Sequence, residues 1–340
     1  MDALERIVLA DPNGKAYEFA KSVFRNIQEI QKRERDLGFV FRDLKITEFP
    51  DGEYKIKIDS NARERAVILI HDSSKEPNRW LTEILNLNDA AMRASASSIM
   101  LVLPYMRWSR GDKKDEPHVS IPLKVCAEAI EATCGRVPKI RAVIMDLHSE
   151  NTQGFFNFPV DCLESECIKS EYFAKNLPAV ARGYVLVAPD HGSAKKVRQF
   201  ANVLAKRLGI SGGMDVVIID KDRTTGEETK VWEVIGKEVL NGRRALMVDD
   251  ILSTAGTLAG GADALRHYGA TGVDAFITHY VGVGNYESNL KKLDNLYVTD
   301  TVYHERTKGE NTQIISVAKW LAEAIYAASA GKSISRLFAD

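Results

Sequence analysis

The segment Arg244-Ala-Leu-Met-Val-Asp-Asp-Ile-Leu-Ser-Thr-Ala-Gly-Thr257 has the residue types and spacing best suited to chemistry. Apolar residues that read as a strand end in two adjacent acids, Asp249 and Asp250, and a short Ser/Thr/Gly loop then opens a helix near Thr257. A loop of this kind offers unpaired backbone N–H groups and the positive end of a helix dipole, which together suit a phosphate. Gly256 allows close approach of the backbone, and Ser253, Thr254 and Thr257 can donate from their hydroxyls. The acids suit a neutral, hydroxyl-rich group. Phosphate on the loop and a diol on the acids describe a ribose 5-phosphate unit. Helix capping by Thr and Asp is a plainer reading of the same residues. A Walker-B acid pair is another, but the chain has no G-x-x-x-x-G-K-[ST] loop to accompany it.

Placing such a loop requires a parallel sheet. Short, mostly apolar runs read as buried strands at Ile7–Leu9, Arg65–Ile70, Ser98–Leu103, Ile140–Met145, Tyr184–Ala188, Asp215–Ile219, Ala245–Val248 and Val273–Thr278. Amphipathic stretches lie between them: Trp80, Ile84, Leu87 and Ala91 share one helical face, and Ala194, Val197, Ala201 and Leu204 another. Repeated β-α-β order predicts an α/β fold with two mainly parallel sheets flanked by helices. One connection is long and charged, Pro104 to Ser120 with Arg107, Arg110, Lys113 and Lys114, and long loops in compact domains are commonly functional.

Composition narrows the classes of function. With 46 Lys+Arg against 47 Asp+Glu the formal charge is −1, which lacks the basic excess of a nucleic-acid binder but leaves room for small anions held by a local field. No apolar run approaches the ~18 residues needed to span a membrane. The start, MDALERIVLA, lacks the layout of a signal peptide, and Cys126, Cys134, Cys162 and Cys167 form no C-x-x-C pair, so a cytoplasmic protein with buried thiols is expected.

The stretch Val248 to Thr257 resembles the loop of type I phosphoribosyltransferase folds that binds phosphoribosyl pyrophosphate (PRPP). Further motifs narrow the resemblance to the ribose-phosphate pyrophosphokinases: Phe49-Pro-Asp-Gly-Glu53, Ser109-Arg-Gly-Asp-Lys-Lys114, Asp146-Leu-His-Ser-Glu-Asn-Thr-Gln-Gly-Phe-Phe156, Pro189-Asp-His-Gly192, Ile219-Asp-Lys-Asp-Arg223 and the tail Ser333-Ile-Ser-Arg-Leu-Phe338, in the family's order. The resemblance implies two phosphoribosyltransferase-like domains, over 1–162 and 163–320, with 321–340 folding back on the first. It also implies transfer of the β,γ-diphosphoryl group of ATP to the C1 hydroxyl of ribose 5-phosphate. Charge then builds on phosphoryl oxygens, so catalysis comes from positioning and cations.

In that reading Lys221 and Arg223 are catalytic, although a solvated basic turn is their plainer account. Phe49, Asp51, Glu53 and Arg110 bind ATP by stacking and polar contacts, although Phe49 and Tyr54 equally suit an ordinary hairpin around Pro50 to Gly52. Asp249, Asp250, Ser253, Thr254, Ala255, Gly256 and Thr257 bind ribose 5-phosphate. Magnesium is the implied cofactor, with His148 and Asp190 as its contacts beyond the carboxyl ends of two strands, facing one crevice. The resemblance further implies a dimer-based homo-oligomer, up to a hexamer, in which Phe49 and its neighbours reach the ATP site of an adjacent subunit.

Three positions depart from the family's commonest pattern: Ser253 stands in place of Asp, Gly111 in place of Gln, and Lys114-Asp-Glu-Pro-His-Val-Ser120 in place of an arginine-rich regulatory loop. Weak phosphate activation and weak ADP inhibition at that loop are therefore expected. Alternative readings are a phosphoribosyltransferase that uses PRPP without ATP, and a non-catalytic regulatory subunit.

Overall fold

The computed structural model describes residues 5–134, 137, 139–221, 232–303 and 311–337. The chain divides into two compact units. Residues up to Leu163, with Thr301–Tyr303 and the stretch from Ser316, form the first; Glu164–Asp300 and the stretch ending at Ile315 form the second.

The first unit is built on β1 (Arg6–Ala10), α1 (Tyr17–Glu34), β2 (Phe39–Glu48), β3 (Tyr54–Ile58), β4 (Ala66–Ile70), α2 (Pro77–Arg93), β5 (Ser98–Leu103), α3 (Pro122–Cys134), β6 (Ile140–Met145) and β7 (Val160–Leu163). Its seven strands run in the order β3-β2-β1-β4-β5-β6-β7, all parallel except β3, which closes a hairpin with β2. Because side chains alternate along a strand, Ile7, Leu9, Val67, Leu69, Ile99 and Leu101 face one way, against Trp80, Ile84 and Leu87 of α2 and Leu123 and Ile130 of α3.

The second unit repeats the plan with α4 (Glu166–Asn176), α5 (Pro178–Gly183), β8 (Tyr184–Ala188), α6 (Ala194–Leu208), β9 (Val216–Lys221), β10 (Trp232–Ile235), β11 (Arg244–Leu252), α7 (Gly256–His267), β12 (Gly272–Tyr280), α8 (Tyr286–Leu290), β13 (Asn295–Thr299) and β14 (Thr312–Ile315). Its order, β10-β9-β8-β11-β12-β13-β14, matches the first sheet strand for strand, with β10 the antiparallel edge. Val185, Met247, Ala275 and Val298 pack with Leu258, Ala262 and Leu265 of α7. Phe173 of α4 meets Tyr184, Phe200, Phe276 and Tyr297 at centroid distances of 5.0 to 6.3 Å. Finally the chain returns to the first unit as α9 (Ala318–Ser329), which lies against α1.

The fold class is as the sequence predicts, with differences in its parts. The strands β2, β3, β7, β10, β13 and β14 lie outside the predicted set. Several are edge or short strands whose exposure alternates, as in β3 (Tyr-Lys-Ile-Lys-Ile), so they lack the continuous apolar run of a buried parallel strand. β11 also runs past the predicted end at Val248, because its pairing with β12 continues to Leu252↔Tyr280, so Asp249 and Asp250 belong to the strand itself. β9 likewise extends to Lys221 rather than ending at Ile219. Among the described residues no helix is long and apolar enough to cross a membrane.

Candidate functional site

In the second unit three neighbouring strands, β9, β8 and β11, bring their carboxyl ends side by side. The chain order reverses between β8 and β11, and open parallel sheets bind ligands at such a switch point. After β8 comes Asp190, whose Oδ1 accepts the Ser193 N–H at 2.8 Å while its carbonyl accepts the Ser193 hydroxyl at 3.0 Å. After β11 comes the loop from Ser253 to Gly256. Its carbonyls are tied from outside: Val283 N–H donates to Ser253 O at 3.0 Å and the Asn289 amide to Thr254 O at 2.8 Å. Helix α7 starts at Gly256 with Ala255 as its N-cap, and no side chain caps it. The N-cap position itself is therefore not filled by a Ser, Thr or Asp side chain, and a helix start of this kind suits an anion.

Ala255 sits at φ +58, the left-handed region that costs a non-glycine residue about 1–2 kcal/mol. Buried against the core, it bends the loop where the phosphate site is read. The same strain appears at Asp146 (φ +47), just after β6, and at Trp108 (φ +67), in the loop after β5. Strained backbone of this kind concentrates at functional loops. Sequence reasoning has no access to it, because Ala, Asp and Trp do not announce a positive φ as glycine does.

Burial, and then the adjacent Asp250 and Asp190 carboxylates, push the Asp249 carboxyl well above the usual carboxylate range. Carboxylates crowded so that one is disfavoured as an anion suit a hard divalent ion with oxygen ligands. Among the described residues no group of three or more His, Cys, Asp and Glu side chains has the arrangement of a complete metal centre, so magnesium here would keep most of its ligands from water and substrate. Lys221 is the last residue of β9, within the same edge. Arg223 lies outside the described residues.

In the first unit, exposed Arg110 follows β5 and exposed His148 follows β6, on adjacent strands of one carboxyl edge. Arg107, which sequence reasoning did not place in the site, is half-buried with its guanidinium 5.4 Å from the Tyr105 ring centroid. Burial and the neighbouring positive charge of Arg110 lower its pKa, against the opposing pull of Tyr105, Asp72 and Glu76. Gly111 has a local cause: a Cβ there would stand 2.9 Å from Pro122 Cδ and 3.0 Å from its Cγ. The Phe49 segment is the tip of the β2–β3 hairpin. Phe49 N–H donates to Glu53 O at 2.7 Å, Asp51 Oδ1 accepts Glu53 N–H at 3.1 Å, and Phe49 itself is 43% exposed. β2 stands three positions from β5 in the sheet, roughly 14 Å at the usual strand spacing.

Two units of the same strand order, one carrying a Ser/Thr/Gly loop at a helix start beside paired acids, define an α/β protein of the phosphoribosyltransferase-like class. Residues 16–134 match the N-terminal domain of ribose phosphate pyrophosphokinase, and residues 160–307 match the phosphoribosyl transferase domain. The chain is 34% identical over 305 residues to the ribose-phosphate pyrophosphokinase of Wolinella succinogenes, covering 89% of this chain and 93% of that one. It is 36% identical over 305 residues to that of Caldanaerobacter subterraneus subsp. tengcongensis, covering 89% and 92%. The crystal structure of phosphoribosylpyrophosphate synthetase from Mycobacterium smegmatis superposes with a TM-score of 0.81 at 25% identity, covering 97% of this chain and all of that one. The chain belongs to the ribose-phosphate pyrophosphokinase family.

Proposed function

We propose that the chain is a ribose-phosphate diphosphokinase: the C1 hydroxyl oxygen of ribose 5-phosphate attacks the β-phosphorus of ATP, the bond from that phosphorus to the α-phosphate oxygen breaks, and PRPP and AMP leave with loss of the hydroxyl proton. The observation that carries this reading is the open N-terminus of α7 beside Asp249 and Asp250, which offers N–H donors to a 5-phosphate and acceptors to ribose hydroxyls in one place. Ser253, Thr254 and Thr257 add hydroxyl donors around the phosphate.

Arg110 holds the triphosphate, with Arg107 beside it adding positive charge. Lys221 and Arg223 hold the transferring group, whose charge grows on its oxygens as the bond to AMP lengthens. His148 and Asp190, each just past the carboxyl end of a strand in its own unit, are the proposed contacts for magnesium. When bound, that ion neutralises phosphoryl charge. The exposed Phe49 at the tip of the β2–β3 hairpin supports a homo-oligomer in which a second copy supplies Phe49, Asp51 and Glu53 to the adenine. Free cysteines, three of them buried, support a cytoplasmic setting.

The test is incubation with ATP, magnesium and ribose 5-phosphate. AMP and PRPP formed only when the sugar phosphate is present support the reading, and no turnover at any magnesium level overturns it. Mixing inactive Phe49→Ala and Arg110→Ala proteins should restore part of the activity if the site is shared between copies. No recovery on mixing removes the sharing.

A further inference from the structure

We infer that Trp232 is a positioning residue: its indole, seated on Gly260, sets where the end of β9 and Lys221 stand relative to the phosphate loop that opens α7. The inference rests on the diphosphoryl transfer proposed above and concerns how its groups are held in register.

Trp232 is the first residue of β10 and pairs across the antiparallel ladder with Lys221, the last residue of β9. Whatever fixes Trp232 therefore fixes the backbone at Lys221. What it rests on is helix α7. A Cβ built on Gly260 would overlap the indole Cζ2 and stand 2.5 Å from Cε2 and 2.9 Å from Nε1, so only glycine leaves room for the ring. The arrangement continues one residue on, where a Cβ on Gly261 would lie 2.8 Å from Ile219 Cδ1 and 3.0 Å from Met247 Sδ. Two glycines inside one helix cost about 1 kcal/mol each relative to alanine. In return, α7 sits directly on the β9–β10 hairpin and on β11.

Gly260 is four residues from Gly256, the first residue of α7, or roughly 6 Å along the helix axis. The indole thus grips the same helix turns that present the phosphate-binding N–H groups. A second tie holds β9 from the other side: Asp220, the residue before Lys221, places Oδ2 3.3 Å from His191 Nε2, in the loop of Asp190. The end of β9 thus has a packed contact with α7 through its partner Trp232 and an exposed polar contact with the loop of Asp190. A rigid bicyclic ring suits this task better than a flexible aliphatic chain, because transfer of a phosphoryl group is catalysed mainly by alignment.

Steady-state kinetics and thermal melting of wild type, Trp232→Ala, Trp232→Phe and Gly260→Ala test the role. Trp232→Ala should lower kcat ~10–100-fold while both KM values stay within about threefold, since a misplacement near 1 Å carries that penalty in the transition state and little in the ground state. Gly260→Ala, which evicts the indole without removing it, should show the same kcat loss, and Trp232→Phe should recover most of it. If Trp232→Ala does not fold, the Phe and Gly260 variants decide the matter. Full kcat in Trp232→Ala or in Gly260→Ala overturns the inference, as does a loss that falls on KM alone. Wild type that makes no AMP withdraws the assigned reaction and this role with it, whereas an active wild type beside an equally active variant withdraws the role alone.

Discussion

Ending the chain at Ile315 should unfold the first unit, although every residue removed follows the second unit in sequence. Helix α9 places Leu321, Ile325 and Tyr326 in the first unit with no exposed surface, along with Ala322, Ala324 and Ala327. Burial of the three large side chains alone is worth about 1.5–3 kcal/mol each, or ~5–9 kcal/mol together. That is comparable with the whole stability of an ordinary domain, about 5–15 kcal/mol. Truncation also strips the face of α1 that carries Val23 and Ile27, and removes the partner of Asp36, which accepts the Tyr326 hydroxyl. With Trp232→Phe in the truncated chain, the remaining tryptophans are Trp80 and Trp108, both in the first unit. Their fluorescence then reports on that unit alone during guanidinium unfolding. The truncated chain should show solvent-exposed emission in buffer and no cooperative transition, and Leu321→Ala in the full chain should lose about 2–5 kcal/mol. A truncated chain with a cooperative transition at the full-length midpoint would refute the reasoning.

Asp274 is fully buried and accepts from Tyr184 OH at 2.5 Å, Arg244 Nη2 at 2.7 Å and Asn295 Nδ2 at 2.8 Å; Asp274→Ala removes the acceptor these donors share, although Arg244 keeps Asp294 at 3.8 Å, and should cost about 1–3 kcal/mol in denaturant unfolding, an unchanged stability being incompatible with that account. His71 is buried, and its desolvation holds the imidazole down to about 4 from 6.5. The unfolded chain therefore takes up a proton first as pH falls, so about 3 kcal/mol of stability should disappear between those two values; His71→Gln should flatten that slope, and an unchanged slope excludes the residue. The raised Asp249 carboxyl has the opposite sign: the folded state holds the extra proton, so stability falls as pH rises from the ordinary carboxylate range through the raised value. Asp249→Asn should accordingly raise Tm at pH 8 more than at pH 5 while abolishing turnover, and an equal effect at both pH values would contradict this. For the loop from Lys114 to Ser120, initial rates titrated with inorganic phosphate should show no strong saturable activation.

The sequence makes legible what is written in neighbouring residues. β4, β5, β6 and β8 are continuous apolar runs and are read to within a residue or so of their ends. The loop proposed for phosphate is conspicuous in the sequence because its acids, hydroxyls and glycine are close neighbours. The edge strand β3 escapes because its alternating charge is also what an exposed loop shows, and β10 because it is only four residues long. The Asp274–Tyr184 contact escapes for another reason: the two residues are 90 apart, and only the shared register of β8, β11 and β12 brings them together. Trp232 on Gly260 belongs to the same class. Glycine in a helix reads as a weakness until the ring that occupies its missing side chain is placed.

The matched topology of the two units also bears on why the proposed phosphate site is assigned to one of them. The loop after β4 is the counterpart of the loop after β11, and α2 of α7. In the first unit, however, Glu76 is the N-cap of α2 and its carboxylate accepts the Arg79 N–H at 3.0 Å, with Pro77 following. At the adjacent loop, the start of α1 is met by Asp72, whose Oδ2 accepts the Ala16 N–H at 3.2 Å. The positions where helix N-termini would meet an anion are thus filled by the chain's own carboxylates. Beside them Lys75 pairs with two further carboxylates, Asp11 at 2.6 Å and Glu83 at 2.7 Å. The second unit has Ala255 where the first has Glu76, and a residue without an acceptor leaves the helix end to a ligand. One substitution class, a carboxylate N-cap against an alanine N-cap, distinguishes the switch point of the first sheet from the proposed binding one of the second.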